Sequence, residues 1–111
     1  MHTIRRPATP LVEGGFREAR RIGGDDALTT CYCAAGWIAY ETGYTWPRVR
    51  TEGYVSVVAH LRDVLNTGRY NGPNSSLRGL YGRNDAALSY TERVLVLRRF
   101  VIDHPDLTWE D

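Results

Sequence analysis

Residues 29–44, "TTCYCAAGWIAYETGY", constrain this chain most, since they hold both cysteines, one of three tryptophans and three of seven tyrosines. At about 100° per residue, a helix here puts Cys31, Ala34, Ala35 and Ile38 on one side and Cys33, Trp37, Tyr40 and Tyr44 on the other. Few polar residues remain anywhere around it. A helix that is apolar nearly all round is a central one, covered by neighbours on more than one side. Gly36 lets one neighbour approach closely, and Gly43 is placed to end the helix.

The rest of the chain is read around that centre. At 111 residues it buries one core rather than two. The apolar and charged fractions, 42% and 24%, are those of an ordinary globule. Residues 1–10 contain Pro7 and Pro10, lack periodicity and read as a flexible N-terminal tail. From Leu11 to Ile22 the spacing of Val12, Phe16 and Ala19 gives a weak amphipathic helix, diluted by Gly14 and Gly15 and bearing Arg17, Arg20 and Arg21 on its other side. Gly23-Gly24-Asp25-Asp26 breaks the chain.

Residues 54–67 carry the clearest signal, with Tyr54, Val57, Val58, Leu61, Val64 and Leu65 on one face and Gly68 as the stop. "GRYNGPNSS" is a loop, and a short helical turn follows around residues 77–81. Ser89 and Glu92 have the spacing of a capping box, which starts a last helix over 90–103. Val94, Leu97 and Val101 form its main apolar face.

Leu88, Leu95 and Ile102 make a second line on another side, with Val96 also apolar. No alternating strand pattern of convincing length is present. The expected fold is therefore all-α: one compact domain, 11–104, of four main helices at 13–22, 29–43, 54–67 and 90–103 around the buried 29–43. An acidic C-terminal tail, 105–111, closes the chain.

Charge excludes several classes. With 14 basic and 13 acidic residues the net charge is +1, so nucleic acid is not an expected partner. The charge is uneven: residues 1–22 carry five Arg against Glu13 and Glu18, while residues 103–111 carry Asp103, Asp106, Glu110, Asp111 and no Lys or Arg. The two ends can attract each other or a neighbour. "MHTIRRPATP" lacks the apolar core of a signal peptide, and no stretch approaches the ~20 apolar residues of a membrane span, so a cytoplasmic protein with no membrane partner is expected. Two cysteines two positions apart are no disulfide framework.

The same cysteines make poor ligands. On a helix they point about 200° apart, and His2, His60 and His104 stand at no zinc spacing, so neither metal nor cofactor is expected. A nucleophilic Cys with His60 as base and Asp85 or Asn84 as orienter can be composed on paper, but free Cys is among the most often buried residue types and no catalytic residue is assigned. Asn84 and Asp85 precede a helix, where short polar side chains accept backbone N–H groups. His104, beside Pro105, reads as a helix C-terminal residue facing the last carbonyls.

Two stretches together resemble a family. "CAAGWIA", from Cys33, looks like the C-x-x-G-x-apolar helix motif of the small bacterial and phage proteins grouped as DUF6197. "RNDAALSYTERVLVL" is similar to that family's N-D…T-x-E-x-V-L segment, through Asn84, Asp85, Thr91, Glu92, Val94 and Leu95. The resemblance implies a compact, mostly helical cytosolic protein of actinobacteria and their phages, with no assigned activity, in which the Cys33 helix and the Asn84-Asp85 turn pack together.

The leading functional expectation is a non-catalytic accessory protein that binds another protein or forms a homodimer, with Leu88, Leu95, Val96 and Ile102 as the interface. The alternative is a small-molecule or nucleotide site lined by Trp37, Tyr40, Tyr44, Asn84 and Asp85. A Cys-dependent enzyme comes third and requires a thiol of low pKa.

Overall fold

The computed structural model describes residues 2–21, 28–46, 50–65 and 77–111, with the backbone alone described for residues 50–54. In chain order its elements are β1 (His2–Arg5), β2 (Arg17–Arg21), β3 (Leu28–Tyr32), α1 (Ala34–Glu41), α2 (Arg50–Leu65), α3 (Leu77–Ala86), α4 (Tyr90–Asp103) and β4 (Leu107–Glu110). The protein is thus α+β, which corrects the all-α expectation. β1 pairs with β4 in parallel, His2 opposite Leu107 and Arg5 opposite Glu110. β2 and β3 form an antiparallel pair, from Arg17 opposite Tyr32 to Arg21 opposite Leu28.

Helix 13–22 is replaced by β2, and helix 29–43 divides into β3 and α1. The physical reason lies in local composition. Thr29, Thr30 and Tyr32 are β-branched or aromatic and suit a pleated backbone, whereas Ala34 and Ala35 begin a helix. β2 reads Arg-Glu-Ala-Arg-Arg and none of its five residues is buried. With little apolar alternation to betray it, β2 is held by its backbone ladder to β3. Both terminal segments, read above as tails, contain strands, and Ile4 and Leu107 are buried.

The expected central helix 29–43 is shortened to α1, and its Tyr40 is exposed. α1 touches α2, α3, α4, β1 and β3. Ala34 to Ala39 are all buried, Trp37 among them. A Cβ at Gly36 would overlap the backbone carbonyl of Phe16, so the close approach anticipated there is real and involves the chain entering β2. The helix stops in a Schellman arrangement: Gly43 has φ +87°, its N–H donates to Tyr40 O, and Tyr44 N–H donates to Ala39 O.

The later helices follow the periodicity, although α2 begins at Arg50 rather than at the expected 54. α2 buries Val57, Leu61 and Leu65; the expected end at residue 67, Gly68 and the loop 68–76 lie outside the described residues, as do Asp25 and Asp26. The turn expected at 77–81 extends into α3. α4 begins and ends at residues 90 and 103, capped by Ser89 Oγ, which accepts from Glu92 N–H, while Glu92 Oε2 accepts from Leu88 N–H. It buries Val94, Leu97, Phe100 and Val101. No helix among the described residues is long and apolar enough to cross a membrane.

Candidate functional site

The most heavily bonded polar junction lies where β3 passes into α1. Cys33 has extended backbone and caps α1, its Sγ accepting from Gly36 N–H at 3.4 Å. Asn84, near the end of α3, supplies a second cap: its Oδ1 accepts from Ala34 N–H at 3.0 Å. The amide nitrogen of Asn84 donates to Val12 O at 2.9 Å and to Asp85 Oδ1 at 3.1 Å. Asp85 Oδ1 in turn accepts from Gly14 N–H at 2.9 Å. One buried amide and its neighbour thus join α3, the start of α1 and the chain segment 12–14.

Arg93 on α4 completes the junction by donating to Asn84 O, Leu11 O and Ala87 O at 3.0–3.2 Å. No periodicity marks Arg93 for this; it is the planar fork of five donors that suits three converging carbonyls. Tyr90 Oη donates to Pro7 O, tying the same N-terminal segment to α4.

A cavity of about 180 Å³ adjoins this junction, lined by Gly14, Gly15, Phe16, Cys33, Ala35, Tyr81, Asn84 and Asp85. It is below the ~300 Å³ at which pockets for drug-sized ligands begin. Burial pushes the Cys33 thiol up to about 11, against smaller opposing effects of the Gly36 and Ala35 N–H groups. Burial also raises the Cys31 thiol. A thiol held neutral to that pH is a packing group and a poor nucleophile.

The paper triad is not assembled. His60, on α2, shares a 2.8 Å hydrogen bond with Thr42 Oγ1 and has its ring 5.3 Å from that of Tyr44, tilted by 54°, beyond the C-terminal end of α1, whereas Cys33 caps the N-terminal end. Burial lowers the His60 pKa, partly opposed by Asp63.

Trp37, Tyr40 and Tyr44 belong to a different cluster from Asn84 and Asp85, and none of the three lines the cavity. Trp37 Nε1 donates to Arg5 O at 2.7 Å. Tyr32 has its ring 5.6 Å from Trp37, 5.2 Å from Tyr40 and 5.8 Å from Trp46, and Tyr44 meets Trp46 edge-on at 4.8 Å. Arg17 lies over the Trp46 ring at 5.7 Å. These rings cement β3, α1 and the link that follows.

Leu88, Leu95 and Ile102 are 90%, 57% and 51% exposed, whereas Val96 is half-buried against the core. The line is therefore open and Val96 lies apart from it. His104 is buried and holds the end of a different helix from its own: Nε2 bonds Leu65 O of α2 at 2.7 Å, and Nδ1 accepts from Asp106 N–H at 3.1 Å.

Fold and junction together define a small α+β domain whose central polar groups are spent on holding its own backbone. Comparison of the chain with protein-family models, curated proteins and solved structures returns no match.

Proposed function

We propose that this protein is non-catalytic and acts by binding another polypeptide through the outward face of α4. The observation that carries this is the exposure of Leu95 and Ile102 on the outer face of α4 and of Leu88 just before its cap. Single exposed apolar residues are common; three large ones exposed on and beside one short helix favour an interface.

The chemistry at α1 favours the same conclusion, since Cys33 is held neutral and His60 is engaged elsewhere. Free, buried Cys31 and Cys33 suit a reducing compartment, so we place the protein in the cytoplasm. Kinship with DUF6197 is part of the proposal, supported by the bond between Asn84 and the first residue of the Cys33 helix.

Affinity capture from the native cell tests it, comparing the wild type with Leu88→Ser/Leu95→Ser/Ile102→Ser. Partners retained by the wild type and lost with the triple variant are expected; an identical set of retained proteins would refute the proposal. A small-ligand reading rests on the cavity beside Asn84, whose size suits a molecule of a few heavy atoms. Nucleotides are accordingly expected to leave the melting temperature unchanged.

A further inference from the structure

We infer that the cavity between the start of α1 and the end of α3 is a binding site for a primary alkylammonium group, its carbon chain against the buried wall and its charge on Asp85. This extends the small-ligand reading of that cavity and is independent of the α4 face. At about 180 Å³, the space compares with the ~150 Å³ cavities that admit a molecule of about six heavy atoms. An amine of about four or five carbons fits it.

The lining divides by polarity. Phe16, Cys33 and Ala35 are buried and form the floor. Tyr81 adds a second ring, set edge to face with that of Phe16 at 5.5 Å between centroids and 77° between planes. Since the Cys33 thiol is neutral, the floor offers sulfur and aromatic carbon to a hydrocarbon chain. Asp85 is exposed and lines the same cavity, which puts its carboxylate at the mouth. Beside it, the place a Cβ would take on Gly14 is open space. A short apolar chamber with one negative charge at its entrance matches an ion with an apolar body and a cationic head.

The charge of Asp85 is available. Its Oδ1 accepts from Gly14 N–H and from the Asn84 amide, both neutral donors. Among the described residues Oδ2 accepts no hydrogen bond and no ion pair reaches Asp85. The neighbouring charges are matched elsewhere: Glu18 pairs with Arg20 at 3.1 Å, and Arg93, 3.8 Å from Glu13, serves three carbonyls. The field of Asp85 reaches the floor, where it adds to burial, the chief cause, in raising the Cys33 thiol.

The same groups disfavour an anion. A helix start ordinarily offers an anion its N–H donors, but here Asn84 Oδ1 takes Ala34 N–H and Cys33 Sγ takes Gly36 N–H. A carboxylate entering the cavity would find those donors occupied and Asp85 repelling it. Among the described residues no three metal ligands gather, so a bare cation has no coordination set either. A neutral alcohol fills the chamber and leaves the carboxylate unpaired.

Titration of the nitrogen-15-labelled protein with n-butylammonium chloride, at neutral pH and constant ionic strength, tests this through the amide chemical shifts. Saturable shifts at Gly14, Gly15 and Ala35 are expected, with a dissociation constant on the order of 1 mM. Butyrate is expected to cause none, and n-butanol to bind at least about tenfold more weakly. Asp85→Asn keeps an oxygen that can accept from Gly14 N–H and removes the charge. It is expected to leave the far-UV circular dichroism spectrum unchanged and to weaken n-butylammonium at least about tenfold. Ala35→Leu fills the chamber from its floor, leaves the charge in place and is expected to abolish the shifts.

A wild type without saturable shifts at those residues overturns the site. Equal affinity for n-butylammonium in wild type and Asp85→Asn overturns the role of the carboxylate, and tighter binding of n-butanol or butyrate overturns the ligand class. Nα-acetyl-lysine methylamide separates the two sources of the group: tighter binding than n-butylammonium supports a lysine side chain, and weaker binding supports a free amine. None of these outcomes touches the α4 face, which the triple variant tests by itself.

Discussion

At the scale of the residue, Asn84 carries more structure than its size suggests. It caps α1 through Ala34 N–H and satisfies Val12 O from the same amide. Asn84→Ala leaves a buried donor and a buried acceptor without partners, and each costs on the order of 1–3 kcal/mol. A loss of about 2–6 kcal/mol in urea unfolding is the expected result.

Cys33 gives a pH signature. Its folded pKa, about 11, lies above an ordinary 9.0. The unfolded chain therefore gives up that proton first as pH rises. The contribution of Cys33 to stability is whole below about 9 and is lost as pH climbs through 11. Slow labelling of the native protein at pH 8 and rapid labelling after denaturation are expected from a thiol reagent.

His60 acts at the other extreme. Burial lowers its folded pKa below an ordinary 6.5, so the unfolded chain binds the proton more readily in that window. Its contribution is present above 6.5 and falls away as the solution is acidified. His60→Gln should flatten that acid limb in a series of unfolding curves.

At the scale of the element, α4 shows why helical periodicity and capping were legible. Ser89, Glu92 and the spacing Val94, Leu97, Val101 are local, and a helix satisfies its backbone within the segment. Its two apolar lines look alike in sequence, yet one is buried and the other is open. Leu97→Ala is expected to cost about 2–5 kcal/mol, whereas Leu95→Gln should change stability by less than about 0.5 kcal/mol; matched urea titrations at low protein concentration will separate them.

The strands were not legible for the converse reason. β2 makes its hydrogen bonds to residues 28–32, and β1 to residues at the far end of the chain, so their evidence lies in a partner rather than in their own pattern. The β-branched Thr29-Thr30 dipeptide in β3 is a short local sign of a strand.

At the scale of the whole molecule, the chain closes on itself. β1 and β4 lie side by side, with Arg5 on Glu41 at 2.9 Å and Arg6 3.9 Å from Asp111. The opposite charges of the two ends hint at this meeting, though the Arg6–Asp111 pair is exposed on both sides and contributes little. The weight is carried by Ile4, Leu107 and the backbone ladder, and Trp37 bonds the carbonyl of Arg5 from within. Removing residues 107–111 uncovers Ile4 and leaves β1 without its ladder. A loss of more than about 3 kcal/mol, seen as a lowered urea midpoint, is expected from the buried area and the hydrogen bonds together.

The sequence alone determined the features that depend on neighbours along the chain. These are the helices α2 and α4, the capping box, the Gly43 stop and the close approach at Gly36. It also marked residues 34–39 as interior, because a stretch with no polar face buries its sides. Only the tertiary structure decided which apolar line of α4 is buried and which carbonyls Arg93 gathers. It also decided that Asn84 faces α1 while Trp37 and the tyrosines face away from it, and that both ends are strands. Each of these turns on a group tens of residues distant, and a side chain's partner across such a gap is set by how the whole core packs.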